Sequence, residues 1–299
     1  MIQISQVSMS YDKLLSLHDV SMTVKDGSIF GLIGSNGSGK STLLRILCGV
    51  IRPDSGTVMY DDRPVWENEA VKQEIFYLSD EQYLIPHCTI NDMVRLYRAV
   101  YADFSDKTFE KLRGVFQLDC DRKINTFSKG MKKQASVMLA LSTRPRYLLC
   151  DETFDGLDPV VRQLVKRILA EESAERGMTT IIASHNLREM EDICDTVALL
   201  HKSDLVFVRE LDDMKLGIHK VQAVFEGSFD AEMLCPLSVI HYERRGSLVT
   251  FVARGTREDI EAHISALSPT FFETIPLTLE EIFISEMEEK GYDFDKLID

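Results

Sequence analysis

The residues best placed to do chemistry lie between Gly31 and Leu44, in the stretch GLIGSNGSGKSTLL. Written as Gly34-x-x-x-x-Gly39-Lys40-Ser41, this run has the spacing of a phosphate-binding loop. Glycines let a backbone curl so that successive N–H groups point inward at phosphate oxygens. Gly34, Ser35, Asn36, Gly37, Ser38 and Gly39 would form that cradle, and a helix opening near Lys40 would add its positive N-terminal end. Lys40 can reach the β- and γ-phosphates, the Ser41 hydroxyl can ligate Mg²⁺, and Thr42 follows in the same turn. The bland alternative is a Gly/Ser turn between a strand and a helix. The full spacing, with apolar SIFGLIG before it and STLLRILCGV after it, favours a nucleotide site. The loop does not say what the nucleotide's energy is used for.

Two other segments end on polar groups. RYLLC runs into Asp151 and Glu152, and TTIIAS runs into His185; both read as short buried strands. The carboxyl ends of parallel strands are where open α/β sheets bind ligands, so these segments and the loop converge on one face. Ser128 can cap a helix running to about Ser142. Taken singly, each has an ordinary reading: two surface acids, a structural histidine, a plain helix cap.

Around these groups the chain has the make-up of an ordinary globular protein. It has 299 residues, 44% hydrophobic and 27% charged, enough for one large and one small domain. The net charge of −14 disfavours nucleic acid as a partner and supplies no basic stripe for anionic lipid. Six cysteines, at 48, 88, 120, 150, 194 and 235, have neither a C-x-x-C pair nor metal spacing, which implies free thiols in a reducing compartment. The N-terminus alternates like a strand, with no signal-peptide pattern, and no apolar run approaches the length of a membrane span.

The elements expected around the chemistry are as follows. Residues 1–30 read as short strands with a turn at Lys25-Asp26-Gly27, and GTVMYDDRPV reads as a hairpin. Thr89 and Asp92 form a capping box for a helix carrying Ile90, Met93, Val94 and Tyr97 on one face; Phe109, Leu112 and Phe116 mark a second helix. After Val208 the pattern becomes that of a small α+β domain: strands around KVQAVFEG and SVIHYERRGSLVTFVARG, a turn at Arg244–Gly246, and a helix with Ile260, Ile264 and Leu267 on one side. A second capping box, Thr278/Glu281, opens an acidic tail.

The phosphate loop, the serine–glycine segment FSKGM, the Asp-Glu strand end, Gly156-Leu157-Asp158-Pro159 and His185 occur in the order found in the ATP-binding subunits of ABC transporters, and residues 1–210 resemble that family as a whole. The resemblance implies an α/β fold: a P-loop NTPase core of ABC ATPase type, an N-terminal antiparallel β subdomain and a helical insert at about 85–140. Residues 215–299 would be a small C-terminal α+β accessory or dimerisation domain. ATP and Mg²⁺ are the implied substrate and cofactor. Asp151 resembles the Walker B aspartate that holds Mg²⁺, Glu152 the general base, and His185 the histidine that contacts the γ-phosphate. Ser128 and Gly130 resemble the signature donors that grip the γ-phosphate bound to an opposite protomer. Asp158 resembles the residue that crosses that interface. Tyr11 sits where the family stacks an aromatic ring on adenine, although a strand-end tyrosine can equally be packing.

The chain departs from the family pattern in three places. The signature has Lys129 where a glycine is usual. Direct alignment puts Asp80 where a metal-sensing glutamine normally follows, and Gln82 serves only if that loop shifts. Thr153-Phe154-Asp155 replaces the common Pro-Thr-Ser. The resemblance further implies an active pair, homodimer or heterodimer, sandwiching two ATP molecules, at the cytoplasmic face of the membrane. A separate ABC-2-type permease would be its partner, a grouping that LTLEEIFI and SKGM favour, with small or antimicrobial peptides as cargo and drugs or lipids as the runner-up. The alternative is a soluble ABC-type ATPase acting as a regulatory or binding module; the twin engines, coiled coil or basic surface usual in such relatives are not seen in this sequence.

Overall fold

In the computed structural model, residues 1–81, 83–225 and 229–289 are described; Gln82 and the end of the acidic tail lie outside them. The chain divides into two compact units, Met1–Val208 and a second beginning at Arg209. The first opens with β1 (Ile2–Tyr11), β2 (Leu14–Val24) and β3 (Ile29–Ile33), then α1 (Lys40–Leu47), β4 (Ser55–Tyr60), β5 (Arg63–Pro64), α2 (Glu69–Gln73) and β6 (Ile75–Leu78). A helical stretch follows: α3 (Ile90–Val100), α4 (Asp106–Phe116) and α5 (Lys129–Ser142). The chain then returns to the sheet as β7 (Tyr147–Asp151), α6 (Pro159–Arg176), β8 (Thr179–Ser184), α7 (Leu187–Glu191), β9 (Thr196–His201) and β10 (Asp204–Glu210).

These ten strands form one sheet in the order β5-β4-β1-β2-β10-β9-β3-β8-β7-β6. At one end β1 pairs antiparallel with β2 and β4, and β4 with β5. At the other, β3, β6, β7, β8 and β9 run parallel. The two kinds of strand have different sequences for a physical reason. IFGLI, YLLCD and TTIIAS are buried at every position, as strands covered on both faces must be. In β1 the inward set Ile2, Ile4, Val7 and Met9 shifts parity at Gln6, which has φ 51° and accompanies a break in register between Ile4 and Val7.

The expected helical insert is present; the Thr89/Asp92 capping box and the Ser128 cap are those read from the sequence, whereas the Ser105 cap of α4 was not. The Thr89 side chain accepts from the Asp92 N–H while the Asp92 carboxylate accepts from the Thr89 N–H. Ile90, Met93 and Val94 are buried on α3, and Phe109, Leu112 and Phe116 on α4. Cys150 is wholly buried in β7; burial pushes its thiol up to about 12, so it acts as a small apolar filler.

The second unit contains α8 (Leu211–Leu216), β11 (Ile218–Val224), β12 (Ser238–Arg245), β13 (Leu248–Arg254), α9 (Arg257–Ala266), β14 (Phe271–Ile275) and α10 (Leu279–Glu289). Its sheet has the order β12-β13-β11-β14, antiparallel throughout. Ile260 and Ile264 of α9 pack with Val221, Val249 and Phe251 in its core, with Leu267 partly buried beside them. The turn expected at Arg244–Gly246 falls one residue later. Arg244 and Arg245 stay paired with Val249 and Leu248, leaving Gly246–Ser247 as the two-residue turn, with Gly246 at φ 65°. Thr278 and Glu281 form the expected capping box at α10.

The loop between β3 and α1 is wedged against neighbouring strands. A Cβ on Gly34 would lie 2.3 Å from the carbonyl oxygen of Leu200 in β9, and one on Gly39, at φ 106°, would lie 2.3 Å from the carbonyl oxygen of Ser16 in β2. Gly34→Ala must therefore displace backbone; the expected cost is about 1–3 kcal/mol of stability, read as a lower urea midpoint for this unit, with an unshifted midpoint as the contrary result.

Candidate active site

A cavity of about 400 Å³ opens at the carboxyl ends of the parallel strands, lined by the loop residues Asn36, Gly37, Gly39, Lys40, Ser41 and Thr42, by Asp80, Asp151 and Glu152, and by Tyr11, Leu14 and Ser16 from the antiparallel end. The loop reaches this place because β3 ends there and α1 begins at once. Ser35, Asn36 and Gly37 are exposed, whereas Gly34, Ser38 and Gly39 are buried as its anchors. The Ser16 hydroxyl donates to Thr42 Oγ1 at 2.9 Å, tying β2 to the first turn of α1.

Lys40 is 5% exposed, and its ammonium donates to the carbonyl oxygens of Gly34 at 2.7 Å and Ser35 at 3.1 Å. Glu152 Oε1 lies 3.8 Å away. Burial lowers the Lys40 pKa, and the charges of Glu152 and Asp151 oppose that shift. The lysine is thus a cation with little water around it, facing the cavity, which suits it to a polyanion.

Asp151 ends β7. Its Oδ2 accepts a 3.0 Å hydrogen bond from the Tyr77 hydroxyl, and burial together with the Asp151 charge raises the Tyr77 pKa, so the phenol remains a donor. Its Oδ1 is buried and has no hydrogen-bond partner among the described residues. A buried carboxylate oxygen without a donor, in the cavity that Ser41 also lines, fits a hard cation that takes oxygen ligands. Ser38 Oγ is likewise buried without a partner among the described residues.

Glu152 sits at φ 45°, in the left-handed region that costs a non-glycine residue about 1–2 kcal/mol. Its N–H donates to the Ala183 carbonyl oxygen at 3.0 Å. Its Oε2 lies 3.1 Å from Nδ1 of His185, just beyond β8, and Asp155 adds a third polar group to that cluster. The half-exposed histidine therefore reaches the cavity through Glu152.

Ser128, Gly130 and Asp158 are not among the residues lining this cavity. Ser128 caps α5 by accepting from the Met131 N–H at 3.2 Å, and Asp158 caps α6 by accepting from the N–H groups of Val160 and Val161 at 3.0 Å. Gly130 packs beside the Gly156 carbonyl, so the two segments adjoin. Ser128, Lys129 and Asp158 are exposed, and Val160 beside them is 79% exposed. Two ion pairs, each with one buried partner, brace this region: Arg162 Nη1 with Glu189 Oε1 of α7 at 3.1 Å, and Lys166 with Asp192, just after α7, at 2.9 Å.

The sequence did not single out Leu14, Ser16, Tyr77 as a donor to Asp151, or Lys133. Lys133 carried a usable signal, being a charge at an i, i+4, i+8 position with Val137 and Leu141 on α5.

Residues 17–155 match the ABC transporter family. The ABC transporter ATP-binding protein YtrB of Bacillus subtilis (strain 168) is 31% identical over 290 residues, covering 97% of this chain and 99% of that protein. The lantibiotic transport ATP-binding protein SrtF of Streptococcus pyogenes is 29% identical over 213 residues, covering 71% of this chain and 92% of its own. A solved structure described as the ATP-binding subunit of an ABC transporter superposes with a TM-score of 0.67 at 26% identity, over 72% of this chain and 92% of that one. With its phosphate loop, paired carboxylates and histidine gathered at the ends of parallel strands, this chain belongs to the ABC transporter family as one of its ATP-binding, ATP-hydrolysing subunits.

Proposed function

We propose that this subunit hydrolyses ATP in a site completed by a second nucleotide-binding subunit, and that the cycle drives an ABC-2-type membrane permease at the cytoplasmic face. The observation that carries the composite site is the exposure of Ser128 and Asp158 outside the cavity that Lys40, Asp151 and Glu152 line. Helix N-termini are anion sites, and Ser128 and Lys129 at the N-terminus of α5 are exposed. Among the described residues no helix is long and apolar enough to cross a membrane, which fits a subunit that acts through a separate permease.

In this reading the N–H groups of residues 34–39 and the Lys40 ammonium hold the triphosphate, and Tyr11 stacks on the base. Ser41 and Asp151 would hold Mg²⁺, with Asp80 beside them, and the ion would supply positive charge against the phosphates. Glu152 orients the attacking water and takes its proton as the water oxygen bonds to the γ-phosphorus and the bond to the ADP oxygen breaks. His185 fixes the Glu152 carboxylate and faces the γ-phosphate. Ser128 and Gly130 of the opposite subunit supply the remaining donors, and Asp158 crosses the interface between the two. Closure and reopening of the pair move the permease.

We further propose export of small antimicrobial peptides. The match to a lantibiotic transport subunit supports this. The unit that begins at Arg209 acts as a dimer clasp; the near full-length match to YtrB supports its being part of the working subunit.

Glu152→Gln is expected to lower turnover by about 10²–10⁴-fold while retaining ATP and prolonging the dimer; turnover at the parent rate would remove Glu152 from the role of base. Ser128→Arg is expected to stop hydrolysis in a chain whose own loop is intact, checked by phosphate release alongside binding of a fluorescent ATP analogue. Normal release would mean that no second subunit completes the site.

A further inference from the structure

Lys133 is 1% exposed, on the inward face of α5, five residues after the Ser128 cap. A buried ammonium must be paired or hydrogen-bonded, and this one is both. Its Nζ donates to the backbone carbonyl of Glu152 and lies 3.3 Å from Oδ1 of Asp80. The same carbonyl accepts from the Asp155 N–H at 3.2 Å. Glu152 is the residue at φ 45°, so its carboxylate direction depends on what holds its peptide in that left-handed turn. The Ala183 carbonyl holds the N–H side and Lys133 the C=O side.

We propose that Lys133 is a positioning residue for hydrolysis: its ammonium locks the Glu152 peptide in the left-handed turn that aims the carboxylate, and links that turn to Asp80 and to the helix that begins at Ser128. The inference rests on Glu152 acting as the base. A shift at Asp80 or at the start of α5 is thereby passed to the Glu152 peptide by one side chain. A lysine suits this link because its ammonium serves a carboxylate and a carbonyl together.

The test uses the full chain with three variants. Lys133→Met keeps the stem and removes the head; kcat is expected to fall about 100-fold, with KM for ATP and the affinity for a fluorescent ATP analogue changed less than about threefold, since the polar partners of the lysine are Asp80 and the Glu152 carbonyl and not the loop, among the described residues. Lys133→Gln keeps a neutral donor near the carbonyl and is expected to fall between parent and Lys133→Met; it decides the matter if Lys133→Met does not fold. A parent-like kcat in the folded variant, or a kcat loss matched by an equal loss of ATP affinity, overturns the proposal. Glu152→Gln, measured in parallel, separates the two readings. If it turns over normally, the base assignment fails and the Lys133 proposal with it. If it is inactive while Lys133→Met is normal, only the Lys133 proposal fails.

Discussion

A backbone can wrap a phosphate only where it can come within a side chain's width of its neighbours, and that constraint organises the first unit. At Gly34 a Cβ would stand 2.3 Å from the Leu200 carbonyl oxygen, and at Gly39 the same distance from that of Ser16. The loop is therefore pinned between β9 on one side and β2 on the other, which requires β3 to lie inside the sheet with its carboxyl end open. With β8 and β7 next in order, their own ends deliver His185, Asp151 and Glu152 to the same opening. The antiparallel end contributes Tyr11, Leu14 and Ser16 to the opposite rim. The loop thus lies close to two strands of the sheet at once, β9 and β2.

Charge is arranged around that loop with little water to soften it. Lys40 and Glu152 are 3.8 Å apart and largely buried, so each raises the consequence of moving the other. Asp151 is held from one side by Tyr77 and leaves its other oxygen unsatisfied among the described residues. Such a site is poised for ligands that bring both negative charge and a cation. The strained turn at Glu152 belongs to the same arrangement, since a relaxed turn would aim the carboxylate elsewhere.

The parts of this arrangement that could be read in the sequence were those with local rules. Glycine spacing, the Ser128 cap, the two capping boxes and the short buried strands each follow from a few adjacent residues, and so did the α/β class. The turn after β12 slipped by one residue because Arg244 and Arg245 pair equally well as strand residues, and only Gly246 is forced by its φ. Lys133 was hidden for another reason. In KGMKK a lysine reads as solvated helix surface, and its alignment with the apolar Val137 and Leu141 is a weaker cue than the packing of α5 against β6, α3 and α4 that goes with its burial. Tyr77 was legible as a strand residue; that its hydroxyl meets Asp151 depends on the parallel register of β6 and β7, which sequence alone does not give.

The central claim is that one chain holds only part of a nucleotide site: the loop and its carboxylates face one opening, while Ser128 and Asp158 face outward elsewhere. The most direct measurement is specific ATPase activity of the isolated chain across a dilution series, with the mass distribution followed by sedimentation at each concentration. Activity per chain should rise in step with the fraction of chains in pairs. An activity per chain that stays constant down to concentrations where only monomer sediments would contradict the account.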